Sequence, residues 1–180
     1  NMKIGTKSLL FGVHQFVIHP ICVAIAWIRL YGFPFSIPIW TSFFVHDFGY
    51  WGKPNMDGKE GETHVELGAN IMHKLFDPVE HKNYKECDVY YEYYEWYDFT
   101  LYHSRFYANT NHKPISKLCI ADKYAFCILP KWLYIMLASW SGEIYEYMHN
   151  GRAHYFHSKS DWYWYVYEYM IEWIDENNKF

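Results

Sequence analysis

At 180 residues, 51% hydrophobic and 23% aromatic, the chain is long enough to bury a core and too apolar to be disordered; it reads as one domain over residues 1–180. A formal net charge of −4 excludes a partner such as a nucleic acid duplex held on a broad basic surface. Small phosphorylated ligands stay open, because they need only a few local cations.

The hydrophobic pattern is helical from end to end, without sustained strand-like alternation, which predicts an all-α bundle of six or seven helices. The first helical stretch runs from Thr6 to Tyr31, with a break expected near His19-Pro20, since proline is tolerated only in a helix's first turn. "YGFPFSIP" reads as a loop, and Ser36 to Phe48 as the next helix, stopped by Gly49. "GKPNMDGKEGE" is a surface loop by composition, with Asn55 and Asp57 as turn residues. Glu62 to Phe76 forms a helix in which Gly68 permits close approach of a neighbour. Glu86–Phe106, Ser116–Leu129, Lys131–Met148 and Asp161–Asp175 complete the set. In "CDVYYEYYEWYDFTLYH" and "DWYWYVYEYMIEW" the acids recur every few residues as a solvent-facing stripe, with aromatics on the other faces. More aromatics than one small core needs suits a homodimer.

The apolar segment from Ser8 to Val45 is interrupted by His14, Gln15, His19, Pro20, Arg29, Pro34 and Pro38, so it lacks the roughly 18 uninterrupted residues of a membrane span. The start, "MKIGTKSLLFGV", has an apolar run cut short at His14 and no small-residue cleavage site after it, so no export is expected. Cys22, Cys87, Cys119 and Cys127 are widely spaced, form no CxxC pair and read as reduced thiols, which points to the cytoplasm.

The histidines, eleven in all, are not equivalent. In "SFFVHDFGYWG" an apolar run ends in adjacent His46 and Asp47, two groups that are costly to bury without partners. His19 opens "HPICVAIAWIRLYG", His64 starts "THVELGANIM", His103 lies at the end of the aromatic helix in "LYHSRFYA", and Asp122 is a lone acid in "SKLCIADKYAF". Each emerges from a buried face. Imidazole nitrogen and carboxylate oxygen together are ligands for one or two divalent ions (Mn, Fe, Co, Zn or Mg), and a bundle core can gather them from facing helices. His14 competes with His19 as first ligand, but the two cannot face the same way on one regular helix. His73, His81, His112, His149, His154 and His157 sit in polar or terminal contexts and read as surface residues. Glu62 and Glu66 suit a helix start and need no further role. Glu143 and Tyr145 in "SGEIYEYM" are candidates for lining a pocket.

The order His, His-Asp, His, His, Asp, carried by "HPICVAIA", "FFVHDFGYWG", "HVELGANIM" and "SKLCIADKYAF", resembles the HD-domain superfamily of metal-dependent phosphohydrolases. That resemblance implies one metal on His19, His46, Asp47 and Asp122, and a second using His64 and His103, with Asp47 as a bridge. The "VAIA" after His19 fits the family better than the context of His14. The implied reaction is attack of a metal-activated water on a phosphomonoester or phosphoanhydride, with a nucleotide as the favoured small phosphorylated substrate. Arg105 and Lys123, each within two residues of an implied ligand, are the natural phosphate clamps, and Lys53 in the Gly/Pro-rich loop is a third. Asp47, Arg105 and Lys123 are thus the expected catalytic residues.

Three other functions stand beside this one. A cyclic-dinucleotide phosphodiesterase of the HD type fits poorly, because His103-Ser104 replaces paired histidines and "RFYANTN" has no Gly-Tyr-Pro. An HD-fold di-iron oxygenase uses four histidines and two aspartates, the same ligand count. A metal-stabilised binding module predicts a site closed to solvent.

Overall fold

The computed structural model describes residues 2–77, 95–150 and 156–178, and among these every regular element is helical. In chain order these are α1 (Ile4–Phe11), α2 (Ile18–Tyr31), α3 (Ile37–Val45), α4 (Lys59–Glu62), α5 (Val65–Phe76) and α6 (Glu95–Leu101). Then follow α7 (Arg105–Thr110), α8 (Lys117–Ile128), α9 (Lys131–Ser141), α10 (Glu143–Asn150) and α11 (Lys159–Asn177). A single 3-10 turn, Phe48–Tyr50, links α3 to the loop that follows.

The all-α reading holds, with more and shorter helices than the pattern suggests, because several expected helices break. The stretch from Thr6 to Tyr31 divides at residues 12–17, ahead of His19-Pro20, and Pro20 then occupies the first turn of α2, where its missing N–H costs nothing. Lys131–Met148 divides at Gly142, whose φ of +90° favours glycine. The expected helix Glu62–Phe76 starts properly only after His64, and the turn α4 forms inside what reads as loop. Of the expected Glu86–Phe106, residues 86–94 lie outside the described residues, and the remainder breaks at residues 102–104. Ser116–Leu129 and Asp161–Asp175 match α8 and α11 closely. Ser104, Ser116 and Ser158 cap α7, α8 and α11 by accepting backbone N–H bonds.

The main core lies where α2 packs on α8, and α8 and α9 pack on α11. Val23, Ala26 and Trp27 of α2 share one buried cluster with Leu118, Ala121 and Ala125 of α8 and with Trp162 and Tyr163 of α11. At about 1.5–3 kcal/mol for each large side chain removed from water, this cluster fixes α2 against α8. The acids Asp161, Glu168 and Glu172 of α11 are exposed, as the stripe predicts. Its aromatics divide between core and surface: Trp162 is buried, whereas Trp164 and Tyr169 are exposed. A second, smaller unit forms where α5 packs on α6. There Asp77, just past α5, accepts hydrogen bonds from the N–H groups of Trp96 and Tyr97 and so caps α6 from a distance. Among the described residues no helix is long and apolar enough to cross a membrane, and Cys22, Cys119 and Cys127 are free thiols.

Candidate metal centre

The end of α3 is where the site is assembled. The helix stops at Val45, and Asp47 adopts φ −95°, ψ 0°, so the His-Asp pair lies in a turn and not inside the helix. Gly49 does not stop α3, as the sequence suggests; it allows contact. A Cβ there would lie 1.8 Å from the His64 carbonyl oxygen, and one on Gly68 would lie 2.6 Å from the Val45 oxygen and 2.9 Å from His46 Cα. These two bare backbones let the end of α3 touch the start of α5, bringing Asp47 to His64. His103 enters from the break between α6 and α7. His19, in the first turn of α2, and Asp122, on α8, meet because those helices pack together.

All six expected ligands converge, in two groups that share Asp47 and can each hold a metal ion: His19, His46, Asp47 and Asp122, then Asp47, His64 and His103. In the first group His19 Nε2 lies 3.1 Å from Asp47 Oδ2, 3.1 Å from Asp122 Oδ1 and 3.2 Å from His46 Nε2. In the second, His64 Nε2 and His103 Nε2 are 3.3 Å apart, and each is 3.6 Å from Asp47 Oδ1. Donors held about 2.0–2.2 Å from one ion at octahedral or tetrahedral angles lie about 2.8–3.6 Å from each other. The observed spacings match that range, with Oδ2 of Asp47 turned to one group and Oδ1 to the other.

The orientation of the rings is more telling than the spacing. His46 Nδ1 faces the Ser42 and Phe43 carbonyls at 3.0 and 3.1 Å, His64 Nδ1 the Gly61 carbonyl at 2.7 Å, and His103 Nδ1 the Thr100 carbonyl at 2.5 Å. A carbonyl only accepts, so each Nδ1 must donate, and in neutral imidazole the Nε2 is then a lone pair. These lone pairs therefore face one another and two carboxylates, and in the metal-free protein a protonated His19 offsets their repulsion, a place that a bound cation could take. Asp47 Oδ2 is buried and, apart from the close approach of His19 Nε2 at 3.1 Å, has no hydrogen-bond partner. Tyr50 stacks flat on His64 (ring centroids 3.9 Å, interplanar angle 8°) and holds that ring in place.

The electrostatics follow from burial and proximity. Burial opposes charge on His19, yet hydrogen bonds to Asp122 and Asp47, and their charges, outweigh it and raise His19 to about 10. Burial likewise opposes ionisation of Asp47 and Asp122. For Asp47 it is overcome by the adjacent imidazoles, His46 first, and by His19 at 3.1 Å; for Asp122 it is overcome by Lys123 and His19. Both carboxyls are held well below their ordinary range. His64 goes the other way: burial dominates and pushes it down to about 3, so it is neutral and ready to bind metal.

A cavity of about 380 Å³ opens beside His19 and Asp122. Arg105 and Lys123 both line it. Lys123 Nζ donates to Asp122 Oδ2 at 2.8 Å, and Arg105 donates to the Tyr169 hydroxyl at 2.9 Å with its guanidinium over the Trp173 ring. Lys53 is not brought there; its ammonium is held by the Thr63 hydroxyl. Nor do Glu143 and Tyr145 line the cavity: Glu143 is fully buried behind His14, and Tyr145 is exposed, with Tyr147 facing the cavity instead. Of the histidines expected at the surface, His112, His149 and His157 are exposed, His73 is half-buried against Asp77, and His81 and His154 lie outside the described residues.

Two wall residues were not legible as such in the sequence. His14 lines the cavity with its ring 5.2 Å from that of His19, because the break at residues 12–17 turns it toward the site. Asp57, in a stretch that reads as a turn, also faces the cavity. The sequence marks His14 only as a rival ligand to His19, and no local pattern marks Asp57 as a wall residue. Comparisons with protein-family models, curated proteins and solved structures find no match to this chain.

Proposed function

We propose that the protein is a metal-dependent phosphohydrolase of the HD type, cleaving a phosphomonoester or phosphoanhydride of a small substrate, a class that includes the nucleotides. The observation that carries this reading is the pair of ligand groups sharing Asp47, the first of which borders, through His19 and Asp122, a cavity that also presents Arg105 and Lys123. His19, His46, Asp47 and Asp122 would hold one ion, and His64 and His103, with Asp47, a second. Ions bound there supply a hydroxide at neutral pH and positive charge for the phosphoryl oxygens.

The chain's own contribution is positioning. Lys123 has three N–H donors and commits one to Asp122, leaving others for a phosphate oxygen on the cavity side. Arg105 is anchored on Tyr169 and Trp173, so its planar fork reaches a phosphate without first losing freedom. A cavity joined to the ligand groups favours an enzyme over a closed, purely structural metal site.

The test is metal analysis of the purified protein, followed by phosphate release from a panel of phosphoesters with Mn²⁺ or Co²⁺. Release that requires metal and disappears in Asp47→Ala supports the reading. Two bound irons with oxygen uptake and no phosphate release would replace it with oxygenase chemistry.

A further inference from the structure

The cavity has two unlike ends. Arg105, Lys123 and Asp122 mark the charged end, and His14, His19 and Asp57 are the other imidazole and carboxylate groups of the lining. From Asp122, α8 carries the wall onward through Ala125 and Phe126 to Leu129, on the order of 10 Å at the rise of a helix. Ile18 of α2 and Trp162 and Val166 of α11 close the same arm. Among the described residues no asparagine, glutamine, serine or threonine lines the cavity. Apart from the Trp162 indole N–H and the Cys22 thiol, the polar groups along the arm are phenols, and two are already engaged: Tyr147 donates to Glu143 at 3.1 Å, and Tyr169 accepts from Arg105 at 2.9 Å.

We infer that the substrate is the phosphate monoester of an apolar alcohol, a medium-length alkyl or isoprenoid chain lying along this arm, and that a nucleoside is disfavoured. The inference rests on the phosphohydrolase reading for the position of the phosphate. A nucleobase brings several donors and acceptors into the arm, where the walls offer few partners; each unpaired group costs binding. A hydrocarbon brings none and gains from every methylene it removes from water. In the reaction the water oxygen bonds to phosphorus, the ester P–O bond breaks, and the alkoxide oxygen takes a proton. The products are inorganic phosphate and the free alcohol.

The experiment compares kcat/KM of the Mn²⁺-loaded protein for ethyl, butyl and octyl phosphate, and for AMP and dTMP. Calorimetry with ethyl- and octylphosphonate, which are not hydrolysed, runs alongside. We expect kcat/KM to rise about two- to fourfold per methylene, with octyl phosphate above both nucleotides. Ala125→Phe, which fills the arm, should flatten that chain-length profile, and Val166→Asp should do the same should the first variant fail to fold. A nucleotide cleaved better than octyl phosphate overturns the apolar substrate and leaves the phosphohydrolase reading intact. No phosphate release from any ester overturns that reading instead. The phosphonates then decide the arm by themselves: octylphosphonate binding at least about tenfold tighter than ethylphosphonate supports it, and a smaller gain overturns it.

Discussion

Asp47 and Glu143 are both buried carboxylates flanked by histidine, and they could hardly be treated more differently. Glu143 is wrapped in donors: the Val13 N–H at 3.0 Å, Ser141 Oγ at 2.6 Å, Ser8 Oγ at 2.8 Å, the Tyr147 hydroxyl at 3.1 Å and His14 Nδ1 at 3.0 Å. Burial opposes its ionisation, yet His14 and these donors hold its carboxyl below the ordinary range. Asp47 instead has a donor in His19 alone among the histidines of the ligand groups, and otherwise faces lone pairs. His46, His64 and His103 spend their N–H on backbone carbonyls, so they offer Asp47 no proton. The first carboxylate is complete within the protein and acts as a structural tie between α1, the loop at residues 12–17 and α10. The second depends on the charge of protonated His19 in the metal-free protein, and a bound metal ion could take that place.

The sharpest way to break that contrast is Asp47→Ala. Removing the shared ligand should abolish stoichiometric metal by elemental analysis and lower phosphate release at least about a thousandfold, while helical content by circular dichroism persists. Retention of full metal would mean that Asp47 is not the bridge.

Glu143→Ala should do the opposite. It strands five donors, three of them buried, and should cost about 3–5 kcal/mol, seen as a lower urea midpoint with unchanged slope, while metal content stays normal. Metal loss without destabilisation would place Glu143 in the site after all.

Chelation should then lower Tm by about 5–15 °C without unfolding the protein, since the main core lies outside the ligand groups. The chelated protein has a distinctive pH profile. His19, raised from 6.5 to about 10, contributes stability that is complete below 6.5 and lost as pH climbs toward 10. In the acid direction His64, lowered to about 3, withdraws its contribution as pH falls below 6.5. Asp47 and Asp122, held well below 3.8, withdraw theirs only as pH falls below that value. Loading with metal should remove the alkaline loss, because His19 then carries no proton to give up. Identical alkaline profiles with and without metal, by urea unfolding, would exclude His19 as a ligand.

The smallest effects separate the cations. Arg105→Ala should raise KM about 10–100-fold with a modest change in kcat, whereas Lys53→Ala, whose ammonium rests on Thr63, should change either by less than about twofold. Equal effects in steady-state assays would put Lys53 back at the phosphate.

Much of this was legible in the chain itself. Helical periodicity fixes the fold class, since a segment must bury its apolar face whatever its neighbours are. Isolated polar residues at the edge of apolar runs, His19, His46, Asp47, His64, His103 and Asp122, stand out because burial without partners is too costly to be accidental. Other features needed the packed molecule. Gly49 reads as a helix stop and proves to be a contact point with His64, because a terminator and a close approach ask for the same missing side chain. His14 and Asp57 reach the cavity wall, and Lys53 does not, because chain breaks and loop paths decide where a side chain points. Local sequence therefore determined which residues must find partners, through the cost of desolvation. Only the tertiary structure decided which partners, since directions in space are set by how α2, α3, α5 and α8 pack.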